Sequence, residues 1–265
     1  MNGELLDLAR NVAVEAGELA RRLRGEGVEV ADTKSTVTDI VTFADRQTEE
    51  LIRGRLADAR PNDGFLGEES GAERGTSGLT WVVDPIDGTV NYAYGLPFYA
   101  VSIAVVEGEP DPLTWRALAG CVVNPVGGEV FTAAEGDGAH LGGERISVAP
   151  SVAPDQALLA TGFSYTPERR TAQASALARY IASVRDIRRI GVAALDLCYV
   201  AAGRLNAYAE SGLHPWDQAA GVLIAREAGA RVTGWDGGEP SREFLLAAEP
   251  RLAEQLEKIL AEYRG

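Results

Sequence analysis

Apolar residues recur at steps of three and four from Leu5 through Leu8, Ala9, Val12, Ala16 and Leu19 to Leu23, which predicts an amphipathic helix at the start of the chain. Asn2 is placed to cap it and Gly25 stands near its end. A second helix is expected from Thr42, where Thr42-Phe-Ala-Asp45 resembles a capping box with Asp in place of the usual Glu. Leu51, Ile52 and Leu56 supply its apolar face, and Pro61 follows its end. From Gly64 the period shortens. GFLGEES, TWVVD, FYAVSIAVVEG, ALAGCVVNP and GEVFTAAEGDGAHL read as strands, rich in β-branched and aromatic residues and separated by Asn-Pro and Gly-Gly turns. Strands in such close succession predict an antiparallel sheet covered by the two helices.

Past residues 146–154 the pattern alternates. ALLATGF, RDIRRIG, LNAYAE, ARVT and FLLAAE read as strands, and TAQASALARYIASV, AALDLCYVAAG, WDQAAGVLIAREAG and PRLAEQLEKILAEY as helices, with Gly203 and Gly229 as stops and Pro250 as a start. This is an α/β half. The change of pattern divides the chain into an α+β segment over 1–147 and an α/β segment over 148–265.

Composition narrows the picture. An apolar fraction of 46% is that of an ordinary globular protein, and no apolar run approaches the ~18 residues that a membrane span needs. The first residues lack the basic-then-apolar order of a signal peptide. Cys121 and Cys198 both sit in apolar runs and read as core, which favours a reducing cytoplasm. A net charge of −14 leaves no basic stripe for nucleic acid.

The candidate chemistry stands at element ends. Asp45 falls in the first turn of the second helix, and Glu68 and Glu69 follow GFL. Asp84 and Asp87 follow WVV, Glu210 ends a strand, and Asp217 opens a helix. Taken singly, Asp45 and Asp217 are explained as helix caps and Glu68-Glu69-Ser70 as a solvated turn. The run DPIDGT is harder to explain without a cation, because Asp84 ends an apolar strand where a neutral residue would cost less. Two carboxylates about 4 Å apart repel by roughly 4 kcal/mol at an effective dielectric near 20. A divalent ion reverses the sign, and an all-oxygen donor set suits Mg²⁺. Pro85 stiffens the loop, Gly88 permits close backbone approach, and Thr89 adds a hydroxyl. Neither cysteine has a histidine close in sequence, and His140 and His214 are the only histidines, so no nucleophile motif is present.

GEES (67–70), DPIDGT (84–89) and WDQAAG (216–221), in this order, resemble the inositol monophosphatase family, as do KSTVTDIVTFAD (34–45) and RRIGVAALDLCYVAAGRLNAYAE (188–210). The resemblance runs from about residue 5 to 260. It implies a layered α/β/α/β/α sandwich of the type shared with fructose-1,6-bisphosphatases, with the active site between the two segments. It further implies a homodimer and a Li⁺-sensitive hydrolase that attacks phosphorus with an activated water and forms no phospho-enzyme. Two to three Mg²⁺ ions are implied: Glu68, Asp84 and the carbonyl of Ile86 for one, Asp84, Asp87 and Asp217 for a second, and Glu68 for a weaker third.

By the same resemblance Asp45, Thr89 and Glu68 prepare the water, and the Gly88 and Thr89 amides bind phosphate. Asp87, Glu210 and the loop Gly191-Val192-Ala193 line the alcohol pocket. Val192 stands where many relatives have Ser or Thr, so one hydroxyl contact to the alcohol is missing; Pro215 and Trp216 are read as packing, and Lys34 has no assigned role. The substrate implied is a myo-inositol monophosphate. The alternatives are histidinol phosphate, fructose 1,6-bisphosphate or a 3′-phosphoadenosine compound, the last two needing basic residues such as Arg169, Arg170, Arg185, Arg188 and Arg189. A non-catalytic partner-binding role is the remaining alternative.

Overall fold

The computed structural model describes residues 2–27, 30–33 and 40–262; Lys34, with the rest of 34–39, lies outside the described residues. Helix α1 (Asn2–Glu26) takes Asn2 into its first turn and buries Leu5, Ala9, Val12, Ala13, Ala16, Gly17 and Ala20. These small residues bring it close to the sheet beneath, where a Cβ on Gly17 would stand 3.2 Å from Val123 Cγ1. Strands β1 (Val30–Thr33) and β2 (Ile40–Thr42) pair antiparallel and lead into α2 (Phe43–Ala59). Both bonds of the expected capping box form. Asp45 N–H donates to the Thr42 hydroxyl at 3.4 Å, and Thr42 N–H donates to the Asp45 carboxylate at 2.8 Å.

The first sheet comprises β3 (Gly64–Gly67), β4 (Gly71–Glu73), β5 (Leu79–Asp87), β6 (Ala100–Glu107), β7 (Arg116–Asn124), β8 (Glu129–Ala134), β9 (Gly138–Leu141) and β10 (Glu144–Arg145), with α3 (Thr89–Tyr94) between β5 and β6. Its order is β10-β9-β8-β7-β6-β5-β3-β4. Every pairing is antiparallel, as expected, except β3 with β5, which run parallel in the register Gly67 to Val83. The strand expected to end at Asp84 continues to Asp87. Asp84 opposes Ser102 and Asp87 opposes Ala100, so β5 advances three residues while β6 advances two. That is a bulge, and it holds Pro85, which has no N–H to give to a ladder.

The second sheet is formed by β11 (Leu158–Ala160), β12 (Asp186–Arg188), β13 (Ala207–Glu210), β14 (Arg231–Thr233) and β15 (Leu245–Ala248), in the order β12-β11-β13-β15-β14. Among these strands lie α4 (Pro167–Tyr180), α5 (Ala193–Ala201) and α6 (Pro215–Glu227), and α7 (Pro250–Ala261) closes the chain. Helix α4 begins four residues before the expected Thr171, with Pro167 in its first turn.

Each sheet is covered on both faces. On β5, Trp81 and Val83 point to the core shared with α1 and α2, whereas Val82 points to the core built on α5 and α6. Tyr208, Leu245 and Ala247 of the second sheet meet that same central core, and Leu252 and Leu256 of α7 cover the sheet's outer face. The layers therefore run helix, sheet, helix, sheet, helix, in agreement with the expected sandwich. Burial on both faces explains the continuous apolar runs of the central strands, and burial all round explains α5, whose nine residues are all buried. Cys121 and Cys198 are buried free thiols, and burial pushes Cys121 up to about 12. Among the described residues no helix is long and apolar enough to cross a membrane.

Candidate active site

Parallel pairing of β3 with β5 brings the C-terminal ends of both strands to one edge. Glu68, just past β3, donates its N–H to the Val83 carbonyl at 3.2 Å and so lies beside Asp84. Asp84 is 2% exposed, and its Oδ1 accepts the Ile86 N–H at 3.1 Å across the bulge. Gly88 turns the chain with a φ of 90°, and a Cβ there would stand 2.8 Å from Val192 Cγ2. Glycine is required here by conformation and by the closeness of the 191–192 loop. The Thr89 hydroxyl lies 3.1 Å from both Asp45 Oδ1 and the Ile86 carbonyl, and its single proton is shared between them. Asp45 itself is wholly buried and reaches the site through Thr89.

The central helices complete the wall. Ala194 N–H, in the first turn of α5, donates to Asp87 Oδ2 at 2.7 Å. His214 N–H donates to Asp217 Oδ2 at 2.6 Å, so Asp217 does cap α6, as the simpler reading had it, while also facing the site. Glu210 accepts the Tyr208 hydroxyl at 2.7 Å, and any side chain on Gly162 would collide with its carboxylate. One cavity of about 400 Å³ is lined by Glu68, Asp84, Ile86, Asp87, Gly88, Thr89, Gly191, Val192, Ala193, Glu210 and Asp217. These are all the residues expected at the site except Asp45.

The cavity's electrostatics are those of crowded, buried carboxyl groups. Burial, then Glu68 and Glu210, push the Asp87 carboxyl up to about 7 against the pull of the Ala194 and Ala193 amides. Burial, then Asp87 and Glu68, hold Asp217 well above the carboxylate range, opposed by the His214 amide. Burial also raises Glu210, and the Tyr208 hydroxyl and Arg189 oppose it. Carboxylates in such surroundings favour a bound cation. Among the described residues no three His, Cys, Asp or Glu side chains are already placed to hold one metal ion together, so these acids share a cavity without forming a closed ligand set. Their mutual repulsion opposes closure until a cation enters.

Three features escaped the sequence. Glu49, one helical turn beyond Asp45, is 3% exposed and accepts the N–H groups of Glu69 at 2.9 Å and Ser70 at 2.8 Å. It thereby fixes the loop that carries Glu68. Its spacing from Asp45 was the available signal. Asp196 is a buried acid inside the apolar helix α5, the same kind of signal that marked Asp84, and burial followed by Glu210 and Asp87 holds it well above the carboxylate range. Trp216, expected only to pack, stacks on His214 with ring centroids 4.9 Å apart and lines the cavity. Of the five arginines considered for a basic pocket, Arg169 and Arg189 line the cavity, joined by Arg242. Arg188 is instead engaged with Asp186 at 2.7 Å, and neither Arg170 nor Arg185 lines the cavity.

The family model for the inositol monophosphatases matches residues 1–264. The chain belongs to the inositol monophosphatase family. It is 45% identical to the inositol-1-monophosphatase SuhB of Mycobacterium tuberculosis, over 98% of this chain and 94% of that one. It is 38% identical to the Nus factor SuhB of Pasteurella multocida, over 93% of each chain. The crystal structure of the extragenic suppressor protein suhB from Bartonella henselae superposes with a TM-score of 0.89 at 37% identity, covering 97% of this chain and 98% of that one. Members of the inositol monophosphatase family are phosphatases, and this chain is a phosphatase with that fold.

Proposed function

We propose that the protein hydrolyses myo-inositol monophosphate to inositol and phosphate, with Mg²⁺ held by Glu68, Asp84, Asp87, Asp217 and the Ile86 carbonyl. The observation that carries this reading is the convergence of four carboxylates from β3, β5 and α6 on one cavity beside the Gly88-Thr89 turn. The donor set is hard and all-oxygen, and its charge calls for divalent cations. When bound, they would neutralise the carboxylates and offer positive charge to the phosphoryl oxygens.

The chain's own residues supply the rest. Thr89 donates its proton to Asp45 or the Ile86 carbonyl, which leaves its oxygen placed to accept a hydrogen bond from the attacking water. The Gly88 and Thr89 amides offer donors to phosphate, and Glu210 accepts hydroxyl protons from the polyol. Lithium sensitivity and a homodimeric state follow from the resemblance, a cytoplasmic setting follows from the two free cysteines, and all three form part of the same proposal.

Phosphate release from myo-inositol 1-phosphate, measured with Mg²⁺ and with EDTA and set against histidinol phosphate, tests the reading. Turnover is expected with Mg²⁺ alone and to favour inositol 1-phosphate. Asp84→Asn is expected to lower kcat by about a thousandfold or more while the fold persists. A fully active Asp84→Asn enzyme would refute the ligand assignment. Absence of turnover on every ester would favour a partner-binding role instead.

A further inference from the structure

Asn91 lies in the short helix α3, just behind the Gly88-Thr89 turn, and is 6% exposed. Its amide nitrogen donates to two main-chain carbonyls, those of Phe98 and Ile190, each at 2.9 Å. Two carbonyl acceptors fix which end of the amide faces them. The bond to Phe98 closes a local turn and is the ordinary work of a buried asparagine. The bond to Ile190 is of another kind. It spans 99 positions and ties α3, which follows β5 of the first sheet, to the loop after β12 of the second. Next along that loop come Gly191, Val192 and Ala193, which line the cavity and open α5. The backbones meet closely here. A Cβ on Gly191 would stand 3.6 Å from the Asn91 amide nitrogen, and one on Gly88 would stand 3.3 Å from both the Gly191 and the Phe98 carbonyl oxygens. Helix α3 also has an anchor of its own. Tyr92, wholly buried, donates its hydroxyl to the Ala20 carbonyl of α1 at 2.9 Å and meets Tyr99 edge-on with ring centroids 4.9 Å apart.

We propose that Asn91 is a positioning residue that sets the spacing between the Gly88-Thr89 turn and the 191–193 loop, and so governs how well the alcohol half of the substrate is held. This rests on the proposed reading that the turn takes the phosphate and the loop faces the alcohol. Asn91 does not itself line the cavity; it acts through the Ile190 carbonyl. Without its donors the Ile190 and Phe98 carbonyls lose these partners, and the loop gains by moving to meet water. Helix α3 stays on α1 through Tyr92, so the phosphate turn keeps its place while the alcohol wall shifts. A displacement on the order of 1 Å is enough to misalign a bound group.

The test sets kcat/KM for myo-inositol 1-phosphate against the Ki of inorganic phosphate, which probes the phosphate end alone. Asn91→Asp keeps the size of the side chain but turns a carboxylate toward two carbonyls. It is expected to lower kcat/KM by about tenfold while the phosphate Ki changes by less than about twofold. Asn91→Ser, which keeps one donor of shorter reach, is expected to fall between it and the wild type. An unchanged kcat/KM would overturn the proposal, and so would a phosphate Ki that rises in step with the loss, as a merely structural role would make it. Hydrogen exchange reads the same claim without turnover. In Asn91→Ser, the milder change, residues 190–195 are expected to exchange about tenfold faster than in the wild type, with β5 unaltered. Equal exchange in the loop, or protection lost from loop and β5 alike, overturns the positioning role. If the wild type fails to cleave the inositol ester, the substrate reading alone fails, and the exchange measurement decides the role of Asn91.

Discussion

Glu49 does not line the cavity, yet both of its oxygens are committed to the loop that bears Glu68. Glycine at 67 leaves room for it, since a side chain there would strike the Glu49 carboxylate. Glutamine at 49 keeps one acceptor and points an amide donor at the other N–H, so one loop bond is lost. Glu49→Gln is therefore expected to raise the Mg²⁺ concentration for half-maximal activity by about tenfold, in the range seen for groups that orient metal ligands. A Mg²⁺ titration of phosphate release checks this, and an unshifted midpoint would mean the loop is held by other contacts. Gly88 makes a different demand. Its φ of 90° excludes most side chains, and Val192 crowds the place of a Cβ. Gly88→Ala is expected to cost about 2 kcal/mol or more in urea unfolding, beyond its effect on turnover.

At the scale of elements, the helices that open on the site share a device. Both α2 and α6 carry Asp at the third helical position in a capping box, and both caps turn the same carboxylates toward the site or its immediate support. The reading of Asp45 and Asp217 as caps and the reading of them as site residues are both satisfied, because a carboxylate has two oxygens and a cap uses one. Helix α5 differs. Its cap residue, Val192, makes no side-chain cap bond, and Asp87 serves one of the free amides instead. Val192→Thr restores a hydroxyl at that cap and is expected to stabilise the fold by about 0.5–1 kcal/mol in urea unfolding. A destabilised variant would show that the new hydroxyl is buried without a partner. Helices α2, α5 and α6 were legible in the periodicity, as were the capping acids of α2 and α6, whereas α3 was not and Asn2 lies inside α1 and does not cap it. The parallel union of β3 and β5 and the continuation of β5 through Pro85 were not, because pairing direction and bulges are set by which strands meet and leave little trace in local pattern.

Across the whole molecule the site ties two layers together. Glu68, Asp84 and Asp87 come from the first sheet and Asp217 from the helical layer beneath it. Without a cation these carboxylates repel across the junction, and a cation bound as proposed would bridge them. Mg²⁺ at a hundred times its Kd is therefore expected to add about 2.7 kcal/mol of stability. In EDTA, Asp217→Asn removes a buried carboxyl whose ionisation its surroundings oppose and is expected to melt above the wild type, whereas its gain from Mg²⁺ is smaller. Thermal melts of both proteins with and without Mg²⁺ decide it. An equal gain in the variant would place the cation away from Asp217.

From its order of residues alone the protein's helices, strands, caps and costly acids could be read, since periodicity, capping and the price of burying a carboxylate act over a few neighbours. The resemblance in three short motifs then named the family. The tertiary structure decided which distant groups meet: Glu68 beside Asp84 in one cavity, Glu49 behind their loop, and Arg169, Arg189 and Arg242 from separate segments on that cavity's wall. Those adjacencies come from strand pairing and layer packing between segments far apart in the chain, and such long-range contacts are specified by the fold as a whole and not by any single stretch of it.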